Sequence, residues 1–177
     1  MQRISTTVIG LVGERARPTA EGLERASNIR VELPDPAAPP LDRAVAAWQA
    51  ATGAHLPYLV HDADPLALVA DAWVRRFDEQ GPAGELEVAV RETLARWRAR
   101  TIDLPDYYIL LDPGAWDATR RHWYLGVLHR AAPSRVLPTE AASDQVQSSI
   151  AKLSSGRWWP ELDRLLAGVD RVVPDRV

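Results

Sequence analysis

Tyr58-Leu59-Val60-His61-Asp62-Ala63-Asp64-Pro65-Leu66 passes from an aliphatic run through an acidic stop into a proline, after which Leu66, Val69, Trp73 and Phe77 recur at helical spacing. A short continuous apolar run reads as a strand covered on both faces, and the stripe that follows reads as one buried face of a helix. Asp64 before Pro65 is the pairing expected where a helix begins, because an Asp side chain caps free N–H groups and proline has no N–H to leave unsatisfied.

The same unit recurs along the chain. Thr6 to Val12, Ile29 to Leu33, Tyr107 to Leu111 and Arg135 to Leu137 are further short apolar runs. Between and after them lie the stripes Leu41/Val45/Trp48, ending at Gly53, and Leu86/Val90/Leu94/Trp97. Trp116/Trp123/Val127 form another, although Gly126 weakens it as a helix and leaves a strand over 123–128 as the alternative. Val146/Ile150/Leu153 and Trp159/Leu162/Leu166/Val169 complete the series, the last as a helix that Pro160 would initiate. Glu87/Arg91 and Glu92/Arg96 stand four apart and read as ion pairs on a wet helix face.

Strands alternating with helices imply right-handed βαβ crossovers and hence a parallel sheet with helices on both faces. The expected fold is therefore α/β: a three-layer, doubly wound, mostly parallel sheet of about five strands with a helical C-terminal segment over about 141–170. A chain of 177 residues is expected to form a single domain over residues 1–177. The flexible pieces are expected at Pro34 to Pro40 and at Gln80 to Gly84, and the chain is expected to end in a short tail from Pro174 to Val177.

Composition removes several classes of function. There is no cysteine, which excludes disulfides, thiolate metal sites and cysteine nucleophiles. The formal charge of −3 and the dispersed basic residues lack the footprint of a phosphate-backbone binder, so no nucleic-acid partner is expected. No apolar run approaches a membrane span or a signal peptide; no membrane partner and a cytoplasmic location are the expectations. Lys152 is the only lysine among 21 basic residues, which reads as coding bias in a GC-rich bacterium.

In a parallel sheet, ligands bind outside the C-terminal strand ends. The residues there are Gly13-Glu14-Arg15, Asp35, His61-Asp62-Ala63-Asp64, Asp112 and Thr139-Glu140, a mainly acidic set. Asp62, Asp64 and Asp112 are candidate ligands of Mg²⁺ or Mn²⁺, which prefer oxygen donors and accept substrate phosphates as the remainder. His61, beside Asp62, is a candidate catalytic acid or base at neutral pH and Asp62 its partner. Arg15 and Arg17, in the turn after the first strand, are candidate ligands of phosphate. That turn lacks both Gly-x-Gly-x-x-Gly and a Lys-Ser/Thr ending, so it carries neither standard nucleotide-binding fingerprint. Asp64 and Asp112 are equally the residue types that cap helices and start turns.

Gly156-Arg157-Trp158-Trp159-Pro160 places two indoles side by side, so both cannot face one core. An exposed Trp158 would serve either as a stacking platform for a ligand ring or as an anchor for a protein partner or for self-association. Two functions thus stand: binding of a small phosphorylated or nucleotide-like ligand at the sheet edge, and a non-catalytic interaction module with a Trp-rich surface around Trp158, Trp159, Pro160 and Trp116.

Overall fold

The computed structural model describes residues 6–78 and 80–174, so the opening residues and the end of the tail at 175–177 lie outside the described residues. Five strands form one sheet in the order β2-β3-β1-β4-β5, and every neighbouring pair runs parallel. The strands are β1 (Thr7–Val12), β2 (Ile29–Glu32), β3 (Tyr58–His61), β4 (Tyr107–Leu111) and β5 (Val136–Thr139).

Helices α1 (Ala16–Glu21), α2 (Pro40–Thr52), α3 (Ala67–Phe77) and α4 (Glu85–Arg98) precede β4. Between β4 and β5 the chain forms α5 (Ala118–His122), a π-helical segment Trp123–Leu128 and α6 (His129–Ala131). After β5 come α7 (Ser143–Ala151) and the short α8 (Leu162–Leu166).

The continuous apolar runs are explained by the layering. Ile9, Leu11, Val60, Tyr107 and Ile109 pack against α1 and α7, through Ala16, Ala20, Val146 and Ile150. Their alternating neighbours Tyr108 and Leu110 pack against α3, α4, the π segment and α8, around Trp73, Trp123 and Leu166. Val8 and Leu59 meet α2 on that same side. A strand buried on both faces has no polar face to show, which is why strict alternation is missing from the sequence.

Three expectations need correction. Trp159 does not belong to the last helix: it precedes extended Glu161, and α8 starts only at Leu162. It remains in the core, where its indole N–H donates to the Pro105 carbonyl at 2.8 Å. Residues 123–128 are helical but wound as a π turn, and the His122 ring lies where a Cβ on Gly126 would stand, 2.6 Å from it. Gly126 therefore admits the ring rather than breaking the helix. The charges of α4 reach other elements, Arg96 pairing with Asp42 of α2 at 3.1 Å and Glu87 with Arg76 of α3 at 3.2 Å, because neighbouring helices offer opposite charges at shorter reach than one turn along the same helix. Among the described residues no helix is long and apolar enough to cross a membrane.

Candidate functional site

The sheet order decides where a ligand would sit. The chain leaves β1 for β2 at one edge, crossing the face that carries α1, and leaves β4 for β5 at the other edge, crossing the opposite face. β1 and β4 are neighbours, so their connections diverge and open a crevice between the two C-terminal ends, the switch point of a doubly wound sheet.

A cleft of about 560 Å³ lies there, lined by Gly13, Glu14 and Arg15 after β1, by Asp112, Trp116, Asp117 and Arg120 after β4, and by Ala141 after β5. Both strand ends leave the sheet by unusual backbone. Gly13 has φ 138°, and a Cβ there would stand 2.9 Å from the Leu111 carbonyl oxygen, so only glycine lets β1 turn this close to β4. Asp112 is left-handed at φ 48°, a conformation that aspartate tolerates better than most residues. Its N–H donates to Thr139 and its Oδ1 accepts from the Ala141 N–H at 3.1 Å, tying β4 to the turn after β5.

The wall is built from the interior outward. Asp64 accepts from the hydroxyls of Tyr108 and Tyr124, both at 2.7 Å, and from the Leu66 N–H at 2.8 Å. The Tyr124 ring meets Trp116 edge-on at 5.4 Å, and the Trp116 indole N–H donates to the Leu111 carbonyl at 3.1 Å. Asp117 caps α5 by accepting from the Arg120 N–H, and the Arg120 guanidinium is held by Asp71 at 2.7 Å. Glu14 and Arg15 are exposed, and their side chains have no ion-pair partner among the described residues.

The residues singled out in the sequence fall into separate places. Arg15 and Asp112 line the cleft. Arg17 does not: its guanidinium donates to the Pro34 carbonyl and pairs with Asp62 at 3.0 Å. Arg43 of α2 pairs with Asp62 from another side at 3.1 Å, so this carboxylate, 5% exposed, clasps α1, α2 and the end of β3. Asp64 is occupied by the two tyrosines. The three carboxylates are not gathered, and no group of three or more His, Asp or Glu suited to a metal ion occurs among the described residues.

His61 is turned inward, 4% exposed beneath Gly10, with its Nδ1 accepting from the Ala63 N–H at 3.3 Å. Burial pushes its pKa down to about 4, partly opposed by Asp62, so the ring is neutral at pH 7. Trp158 stands at the opposite end of the sheet, 51% exposed, over the Arg135 guanidinium at 4.3 Å. That guanidinium also covers the Tyr107 ring at 4.6 Å at the start of β4. Trp158 and Trp116 therefore share no surface, and Trp159 is buried.

Trp116, Asp117, Arg120 and Ala141 are among the lining residues that sequence reasoning did not assign to the site. Their signal was available: Trp116 and Asp117 follow the end of β4 by only a few residues. What was missing was the strand order that sets β4 beside β1, on the side away from β3.

Fold and crevice together define the class, a doubly wound parallel α/β protein with an open cleft at its switch point. Comparison of this chain with known protein families, curated proteins and solved structures found no match.

Proposed function

We propose that the chain binds a small phosphorylated or nucleotide-like ligand in the cleft between β1 and β4. The observation that carries this reading is the unpaired Arg15 guanidinium beside Gly13 at a switch-point crevice of about 560 Å³, within the ordinary range for small-molecule sites. Arg15 meets the phosphate, and the Trp116 face offers a platform for a base or ring. Asp112 is the carboxylate placed to share Mg²⁺ or Mn²⁺ with the ligand's phosphates, since Mg²⁺ commonly takes one or two carboxylates and completes its shell from substrate and water.

Thermal unfolding with AMP, ATP, UMP and UTP, each with and without Mg²⁺, tests this. At least one should raise the melting temperature while its parent nucleoside does not, because ligand at ~100 times its dissociation constant stabilises by about 2.7 kcal/mol. Arg15→Ala should weaken that binding by about tenfold or more, the loss of one charge-assisted hydrogen bond. If no phosphorylated compound shifts the transition, or if Arg15→Ala leaves the shift intact, the reading fails.

A second reading, a protein-interaction surface, rests on Trp158 alone, a large exposed indole on a segment without regular structure. In sedimentation, Trp158→Ala should then shift the chain toward monomer with an unchanged melting temperature. A wild-type chain that is already monomeric at all concentrations counts against self-association.

A further inference from the structure

A second pocket, of about 330 Å³, lies away from the switch point, among α2, α4, the segment entering β4 and the residue before α8. Ile102, buried against Trp97 and near Leu41 and Ala44, belongs to its lining. Trp48 and Trp97 are half-buried and also line it, and neither indole N–H has an acceptor among the described residues.

Charges of both signs meet this apolar surface. Arg98 and Arg100 bring two guanidiniums, Asp103 and Glu161 two carboxylates, and none of the four side chains forms an ion pair among the described residues. Asp103 has its carboxyl pushed above the usual range, first by burial and then by the negative charge of Glu161. Asp103 is partly buried beside the exposed Glu161, neither carboxylate has an ion-pair partner among the described residues, and an incoming ammonium would relieve their repulsion.

Arg100 adds an observation of a different kind. Helix α4 ends in a Schellman motif: the Arg100 N–H donates to Trp97 at 2.8 Å and the Thr101 N–H to Arg96 at 3.1 Å. The residue at the left-handed position of that motif is usually glycine, yet here it is Arg100 with φ 59°. A side chain kept in a conformation unfavourable to it, and lining a pocket with its charge unpaired, points to use of that guanidinium.

We propose that this pocket binds a small zwitterion with an apolar ring, of the class of the aromatic α-amino acids, its carboxylate on Arg98 and Arg100, its ammonium on Asp103 and Glu161, and its ring against Trp48 and Trp97. An amino acid supplies both charges on one carbon, which answers the two unpaired sets at once, and a ring suits the indole surface. The site uses no residue of the β1/β4 cleft, so the two readings stand or fall separately.

Calorimetric titration of the full chain with L-phenylalanine, L-tyrosine and L-tryptophan tests it, with 3-phenylpropionate and phenethylamine as probes lacking the ammonium and the carboxylate. At least one amino acid should bind saturably, and each truncated probe should bind about tenfold more weakly or worse. Arg100→Gly should weaken amino-acid binding by about tenfold, while the melting temperature holds or rises by roughly 1 to 3 °C because glycine suits the left-handed position. That opposite movement separates a binding role from a merely structural one. Absence of saturable binding by all three amino acids, equal binding of either truncated probe, or undiminished binding by Arg100→Gly overturns the proposal.

Discussion

Asp64→Ala is expected to destabilise the fold by about 3 kcal/mol, well above the typical effect of a point substitution. The Tyr108 and Tyr124 hydroxyls and the Leu66 N–H all donate to this one carboxylate, and both tyrosines are essentially fully buried. Truncation strands three donors, each unsatisfied buried group costing about 1 to 3 kcal/mol. Some of Asp64 still reaches the surface, so water entering the space would recover part of that sum and the estimate stays near the low end. Asp64→Asn should lose less than half as much, because an amide oxygen can accept from one tyrosine while its NH₂ donates to the other. Urea unfolding followed by tryptophan fluorescence measures both. A loss within about 1 kcal/mol for the alanine variant would mean that the network contributes nothing to stability. Because Tyr124 supports Trp116, the same variant should also loosen the cleft wall.

Stability should fall as pH drops from about 6.5 to about 4, the window set by His61. The ring is buried and neutral in the fold with a pKa near 4, against 6.5 when free, so in this interval the unfolded chain binds the extra proton. The contribution is fully present above pH 6.5 and lost as pH falls through 4, and at 1.36 kcal/mol per unit it amounts to about 3 kcal/mol across the window. Asp64 acts in the opposite direction. Burial raises its pKa in the fold, so its contribution is present below the ordinary carboxylate range and is lost as pH rises through the raised value. The two overlap in the acid range, and His61→Asn separates them. Unfolding free energies at pH 7 and pH 5 should differ by much less in that variant than in the natural chain. An equal difference in both would show that His61 does not govern the acid response.

The central strands β1, β3 and β4 were legible because each is buried on both sides, and burial on both sides demands an unbroken apolar run of limited length; the edge strands β2 and β5 are only partly buried and were read from short apolar runs. The stripes of α2, α3, α4 and α7 were legible for the matching reason, one buried face at helical period. The last helix was misjudged because Trp159 continues the stripe into Leu162 in number while standing outside the helix; spacing records which residues are buried and not the backbone that brings them there. The ion pairs of α4 were misassigned for a related reason, since Arg96 and Glu87 find charges on α2 and α3 that no count along the sequence relates to them.

The rim was legible as a set of residues after strands, and Arg15 and Asp112 both line the cleft. The division of labour among the acidic residues was not. Asp62 and Asp64 are two residues apart, yet one is clasped by Arg17 and Arg43 and the other by two tyrosines from β4 and the π segment. Partners 44 and 60 positions away decide what Asp64 does.

Local pattern and composition thus determined by themselves that this is a cysteine-free α/β chain of alternating strands and helices, because hydrophobic period and turn chemistry are properties of neighbours in sequence. Only tertiary structure decided that β1 lies between β3 and β4, which carboxylates are neutralised and which remain free, and that Trp48 and Trp97 line one pocket. Those are consequences of packing between distant segments, whose geometry is set when the layers close around a shared core.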